Sequence, residues 1–308
     1  MSAGMTRIGI LASGDGWHLR ALTTALARCG CEAKRLDARR LTGLVDRSGP
    51  RRAGSLRAAG SEMETLDGLL VRLIPPGSLD QVVFRVDALH LLRDGGLPVI
   101  NPPRALERTI DKHWTSRLLA EAGLPTPRTV AAEGFEEAME AFAAMGDVLV
   151  KPLLGSGGRG IMRISDEDLA YRTFRTLELQ RAVFYLQEFV PHGRSDLRLF
   201  VVGDRLVAAA RRIGAGWKTN VAAGARAAAH RPRPEEEELA LRACRAVGAD
   251  YAGVDLLEAE DGRTLVIEVN GIPGWSALQE TTPIDIALEV ARLAAAQVES
   301  RRQPAARG

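Results

Sequence analysis

The sequence predicts an α/β protein, mixed α+β in its second part, on three observations. Apolar runs of strand length alternate with helix-period segments through the first hundred residues. After Pro102-Pro103, paired strand runs and glycine-ended helices take over. The 308 residues fit about two domains of ~150 residues, and 46% hydrophobic with 26% charged residues is the make-up of a soluble globular chain. That composition rules out disordered and collagen-like organisation.

Residues 6–12 read as a buried strand, which Ser13-Gly14-Asp15-Gly16 turns into a helix over Trp17–Cys29. Gly30 suits the left-handed position after that helix. The Gly14-x-Gly16 pair lacks the third glycine of a dinucleotide fingerprint and reads as a plain strand-to-helix turn. Residues 46–60, rich in Arg, Gly, Ser and Ala, read as a mobile loop. A strand over Leu66–Leu73, a helix over Val82–Leu92 and a strand over 98–101 lead to a boundary at Pro102-Pro103.

The second part opens with a helix from Asp111 to Ala122, stopped by Gly123, and a helix on the stripe Phe135, Met139 and Phe142, closed by Gly146. A strand over Val148–Lys151, a glycine-rich loop, Ile161–Ile164, a helix over 166–181 and a strand over Val183–Val190 follow. Leu197–Val202 and Leu206–Arg211 pair around Gly203-Asp204. Pro234, with four glutamates behind it, starts a helix that runs to Val247, because carboxylates favour the positive end of a helix. Tyr251–Asn270 reads as a hairpin, Pro283 opens the last helix, and 301–308 form a disordered tail.

A formal charge of +2 gives no electrostatic case for a nucleic-acid partner. No apolar run approaches the ~20 residues that span a bilayer, and an apolar leader segment is missing, so a cytoplasmic protein is expected. Three cysteines, two as Cys29-x-Cys31, cannot form a disulfide framework, and five scattered histidines form no ligand cluster. Only four of the 41 basic residues are lysines, at 34, 112, 151 and 218. Lysine is a compact point charge where arginine is a planar fork, so these positions invite attention.

Three constellations carry chemistry. With Asp261-Gly262 as a two-residue turn, hairpin partners have numbers summing to 523, which sets Asp255 opposite Glu268 with Asn270 on the same face. Carboxylates directly across strands repel, and a hard divalent cation relieves this; a solvated face is the competing reading. Next, Val150-Lys151-Pro152 precedes the loop Gly155-Ser156-Gly157-Gly158-Arg159-Gly160, which suits either a hairpin turn or a phosphate cradle. The lysine a few residues earlier favours the cradle. Finally, the extended segment Tyr185–Val190 offers alternating backbone donors and acceptors to a flat base edge.

Asp111-Lys112, Gly123-Leu-Pro-Thr-Pro127, Val150-Lys151-Pro152 with its loop, Gln187-Glu-Phe-Val190, Asp255 and Glu268-Val-Asn270 resemble, in this order, the ATP-grasp superfamily. Asp196-Leu-Arg198, Arg211-Arg212 and Trp217-Lys-Thr-Asn220 resemble its RimK-like α-L-glutamate ligases. The resemblance implies an ATP-grasp domain over 104–300, divided at 190 into a glycine-loop part and a metal and acceptor part, after a Rossmann-like domain over 1–103. It implies that Lys112 and Lys151 hold phosphates beneath the 155–160 loop, and that Gln187, Glu188, Phe189, Val190 and Asp196 line the adenosine pocket. Lys218 and Asn220 would approach the phosphates, Arg211 or Arg212 would steady an acyl phosphate, and Asp255, Glu268 and Asn270 would bind two Mg²⁺ ions, Mn²⁺ being an alternative.

The implied reaction is carboxylate–amine ligation, in which ATP phosphorylates an acceptor carboxylate and the amino group of L-glutamate displaces the phosphate. Val221-Ala-Ala-Gly-Ala225 and Gly271-Ile-Pro-Gly-Trp275 depart from the commoner RimK-like pattern beside the acceptor. The Pro-Gly-Trp-x-Ala-Leu-Gln279 ending is similar to RimK-like ligases of pterin cofactors of the tetrahydromethanopterin type. Trp217, Gly271 and Trp275 are then expected at a small-molecule carboxylate acceptor, the two tryptophans by stacking or, equally, as core residues. A ligase acting on a protein C-terminus is the second expectation and a non-catalytic ATP-binding module the third. The resemblance is compatible with a homo-oligomer, though no segment announces an interface, and neither nucleic-acid nor membrane partners are expected.

Overall fold

The computed structural model describes residues 5–46, 55–155, 157–219 and 224–302. Its first part is built on a four-stranded parallel sheet with the order Cys31–Asp37, Thr6–Ala12, Gly68–Val71, Val99–Ile100. The helix Trp17–Arg28 carries the chain from one side of the central strand, and Gly30 ends it at φ 72°. The helix Leu79–Asp94 is longer than its apolar pattern predicts, because Ser78 and Gln81 close a capping box ahead of the first apolar residues.

Part of the segment read as a loop is ordered. Ser55–Ala58 pairs with Leu41–Leu44 in a small antiparallel ribbon. Leu56 and Ala58 point inward, an alternation too short to stand out among arginines and glycines. Residues 47–54 lie outside the described residues.

The second sheet is antiparallel, ordered Met162–Ile164, Val148–Lys151, Phe184–Glu188, Thr129–Ala132. Helices Phe135–Met145 and Glu167–Leu179 cover one face through Phe142, Phe174 and Phe184. The third sheet runs Arg226–Ala229, Arg205–Ile213, Ser195–Val202, Tyr251–Glu258, Thr264–Asn270, all antiparallel. The helix Pro234–Val247 packs on its face at Leu199, Val254 and Leu256. The other face is apolar at one end (Phe200, Tyr251) and charged at the other (Asp196, Arg198, Arg212, Asp255).

The apolar end is shared with the first part of the chain. Ile8, Leu22 and Leu26 enter one core with Phe200, Tyr251, Trp275, Val290 and Ala294. The last helix, Ile286–Arg302, packs along the first, and its Val298 fills the space over Gly68. It takes in Arg301 and Arg302, the start of the expected tail; residues 303–308 lie outside the described residues.

Candidate active site

A cleft of ≈ 550 Å³ opens where the glycine loop of the second sheet faces the hairpin of the third. Lys112, Lys151, Gly155, Gly157, Gly158, Arg159 and Glu268 all line it. Lys112 opens a helix whose N-cap, Asp111, accepts from Trp114 N at 3.0 Å, and its Nζ donates to Gly155 O at 2.8 Å and Leu153 O at 3.3 Å. Lys151 ends its strand with Nζ donating to Gln187 Oε1 at 2.6 Å, and Gln187 in turn donates to Thr129 Oγ1 at 3.1 Å. Burial draws the Lys151 ammonium down to about 8 and lowers Lys112 too, while Glu268 pulls both the other way. Lys218 donates to Ile161 O at 2.9 Å just beyond the loop, whose Gly157, Gly158 and Gly160 all need positive φ; Gly160 completes the turn behind Pro152. Three of the four lysines therefore grip or face one loop. Ser156 and Asn220 fall outside the described residues.

The segment expected to read a base edge is more enclosed than its sequence suggests. Phe184–Glu188 is an inner strand, paired on both sides, so its backbone is spent on the sheet. Glu188 Oε1 accepts from Arg128 N, and the Phe189 ring carries the Arg163 guanidinium 3.5 Å from its centroid. Gln187 is 2% exposed and orients Lys151. Val190 is buried in a small core with Leu257 and Leu265. Asp196 also departs from expectation: it is buried, with both oxygens bound by Arg212 at 2.6 Å and one by Thr219 Oγ1. Its carboxylate is 2% exposed and holds Arg212 and Thr219 in place.

On the third sheet, Asp255 does lie opposite Glu268, and Gly253 opposite Asn270. Two deviations cancel to give this. The turn has three residues, 260–262, with Ala259 N donating to Arg263 O, which shifts the pairing by one; an extra residue at Ile267 shifts it back. The Asp255 carboxylate is bracketed by Arg198 Nε and Arg212 Nη2, each at 2.8 Å. Arg211 occupies the opposite face, bound to Glu258 at 2.6 Å and Ser195 at 3.1 Å, so strand alternation sets it apart from Arg212 and Asp255, against the acyl-phosphate expectation.

The acceptor residues need correction. Trp275 is 1% exposed, packed between Phe200, His18 and Arg72, and has no face to offer a ligand. Gly271 is buried against the helix Pro103–Ile110, where a Cβ would meet Thr109 Oγ1. Trp217 is half-buried beside Phe189, 6.2 Å between centroids, next to the segment Gln187–Val190.

A RimK-like ATP-grasp domain model matches residues 109–294, more than half of the chain. The chain belongs to the RimK-like ATP-grasp family. It is 32% identical, over 89% of its length and 94% of theirs, to a tetrahydromethanopterin:alpha-L-glutamate ligase of Methanosarcina acetivorans. A protein of the same name from Methanocaldococcus jannaschii is 40% identical over 66% of this chain and 72% of its own. Among solved structures, the ATP-grasp ligase PsnB complexed with a minimal precursor aligns at TM-score 0.73 and 22% identity, covering 95% of this chain and 99% of that one. The expected enzyme class, an ATP-dependent carboxylate–amine ligase joining glutamate, is that of these family members.

Within this RimK-like frame, sequence reasoning missed Arg198 as a site residue. Its side chain is 15% exposed and its buried Nη1 has no hydrogen-bond partner. The signal was available: Asp196 and Arg198 interrupt an apolar strand with alternating charge on one face. The donor set also fits a hard cation. Glu268 lines the cleft and makes no hydrogen bond or ion pair with the described residues, and the buried Asp255 Oδ1 lacks an aligned hydrogen bond. Asn270 Oδ1 accepts from Ile272 N at 2.9 Å and keeps a second lone pair. Because two guanidiniums already balance Asp255, Glu268 is the freer ligand. Among the described residues no cluster of three or more His, Cys, Asp or Glu adds to this set, and none of their helices is long and apolar enough to cross a membrane.

Proposed function

We propose that this chain is an ATP- and Mg²⁺-dependent ligase that joins L-glutamate to a carboxylate of a small-molecule acceptor, a pterin cofactor of the tetrahydromethanopterin type. The convergence of Lys112, Lys151, the glycine loop and Glu268 on one cleft carries the reading, and the names of the archaeal relatives support the acceptor.

In this reading Lys112 and Lys151 exchange their oxygen partners on the protein for phosphate oxygens, at little net cost in hydrogen bonds. Glu268, Asp255 and Asn270 would hold Mg²⁺, as two ions or with Mn²⁺ in its place; the metal would supply charge neutralisation at the transferred phosphoryl group. The acceptor carboxylate oxygen takes the γ-phosphoryl group from ATP, and ADP leaves. The glutamate amine then attacks the acyl carbon, phosphate departs and a proton is lost. Arg198 and Arg212, held against Asp255, would stabilise the acyl phosphate in this reading. The chain needs no covalent nucleophile for this; its contribution is alignment and charge.

The test is mass spectrometry of the protein with ATP, Mg²⁺, isotopically labelled L-glutamate and a tetrahydromethanopterin-type pterin. A pterin heavier by one labelled glutamyl unit, formed with ADP, is the expected product. An unlabelled pterin alongside labelled protein would move the acceptor to a polypeptide. That second reading draws on a LysX-type alpha-aminoadipate–LysW ligase of Saccharolobus solfataricus, 35% identical over 60% of this chain. No labelled product would overturn glutamate as the donor.

A further inference from the structure

Ser116 lines the cleft one helical turn beyond Lys112 and on the same face, yet neither the phosphate grip nor the metal set includes it. Its Oγ lies 2.9 Å from Tyr185 Oη, and either hydroxyl of such a pair can be the donor. The direction is decided at the far end of the network. An ammonium has three donors and no acceptor, so the 2.6 Å contact from Lys151 Nζ requires Gln187 to present Oε1 to it. The other end of that amide, Nε2, only donates. It donates to Thr129 Oγ1 at 3.1 Å and faces Tyr185 Oη at 3.5 Å. Thr129 passes its own proton to Pro127 O at 3.0 Å.

Tyr185 Oη therefore has a donor on one side and Ser116 on the other, and a phenol holds a single proton. Donation to Ser116 satisfies both neighbours. The reverse direction would leave the phenol proton facing an amide donor in a residue 2% exposed, which is costly. Burial raises the Tyr185 phenol above its ordinary 10, so the proton stays in place at neutral pH. Ser116 Oγ thus accepts from Tyr185, and its own proton is left over, with no second partner among the described residues. The neighbouring hydroxyls of the cleft wall are spent: Thr109 Oγ1 donates to Ala105 O at 2.9 Å, and Thr115 Oγ1 donates to Arg108 O.

We propose that Ser116 is a further nucleotide-binding residue, which donates its hydroxyl proton to a phosphate oxygen of the nucleotide that Lys112 and Lys151 hold. Both lysines and the glycine loop line the same cleft, so the oxygens that meet Ser116 there are anionic. Tyr185 is a positioning residue: by occupying a lone pair of Ser116 it turns that hydroxyl into a donor. The polarity of the whole chain is imposed by Lys151, so one cation both attracts the phosphate and aims a neutral donor at it. The identity of the ligand rests on the ATP reading; the direction of the hydrogen bonds does not.

The experiment is calorimetric titration of the full chain with Mg-ADP and, separately, with adenosine. Ser116→Ala places the best helix former in a helix, so the melting temperature without nucleotide should hold. Its affinity for Mg-ADP should fall at least about tenfold, as for loss of a hydrogen bond to a charged group, while that for adenosine stays unchanged. Tyr185→Phe should produce a smaller loss, and adding it to Ser116→Ala should weaken binding no further, because Tyr185 acts through that hydroxyl. Mg-ADP binding by Ser116→Ala equal to that of the wild type overturns the proposal. Equal fold-losses for adenosine and Mg-ADP overturn the phosphate assignment, and full additivity of the two variants overturns the positioning role. A wild type that binds no Mg-ADP overturns the ATP reading and this ligand with it, an outcome distinct from binding that Ser116→Ala leaves intact.

Discussion

Lys151 donates to Gln187 inside the cleft, and burial holds its ammonium down to about 8. The folded chain therefore carries fewer protons on this group than the unfolded chain between about 8 and the ordinary 10.5, and the group adds stability as pH rises through that window. Phosphate oxygens favour the charged form, so nucleotide binding at pH 8.5 should take up a fraction of a proton. Calorimetry in two buffers of different ionisation heat should show the difference, and Lys151→Gln should reduce it to the share contributed by Lys112. Asp255 and Glu268 look interchangeable in the sequence, and only coordinates separate them. Glu268→Gln should cut turnover at least about a hundredfold with an unchanged melting temperature. Asp255→Asn strands Arg198 and Arg212 as buried, under-balanced cations and should cost about 3 kcal/mol of stability as well as activity, measured by denaturant unfolding. Such pairings across strands escaped the sequence because they depend on which strand lies beside which.

The hairpin Tyr251–Asn270 shows what was legible at the scale of an element. Its alternation and turn residues located both strands and the facing carboxylates. They did not reveal that Gly262, at φ 87°, closes a three-residue turn compensated by a bulge at Ile267. A bulge is set by what the strand must face, which local propensity does not encode. The same reason hid the inner position of Phe184–Glu188, whose sequence suits a free edge equally well. Gly253 is the sensitive point of the hairpin, since a Cβ there would meet Arg198 Nη1 and approach Pro273 Cβ at 3.0 Å. Gly253→Ala should push Arg198 off Asp255 and lower kcat by about tenfold, because small misplacements of a charged group are costly. Circular dichroism should show the fold retained, the displaced atoms being the far end of a flexible side chain.

Across the whole molecule, the break at Pro102-Pro103 was visible as a change of pattern, but the packing across it was not. One core takes Ile8 and Leu26 from before the break and Phe200, Trp275 and Val290 from after it. We therefore expect a single unfolding transition by calorimetry for the full chain, and no cooperative transition for residues 104–302 expressed alone. Separate transitions would show the two parts to be independent. Charge is distributed at this scale too. Of four lysines in the chain, Lys112, Lys151 and Lys218 grip or face the glycine loop, and arginine serves elsewhere. Arginine is inert to most amine-directed electrophiles, so this protein is a self-targeting substrate for them. An activated ester or a pyridoxal-type aldehyde meets few lysines outside the cleft, and Lys151 is the lysine whose ammonium burial draws down furthest, to about 8. Low doses should silence the protein at the cleft and Mg-ATP should protect it, with Lys34 and the α-amine as the amines that stay open to label outside the cleft. The chain's bias toward arginine thus makes ordinary lysine chemistry a site-directed tool.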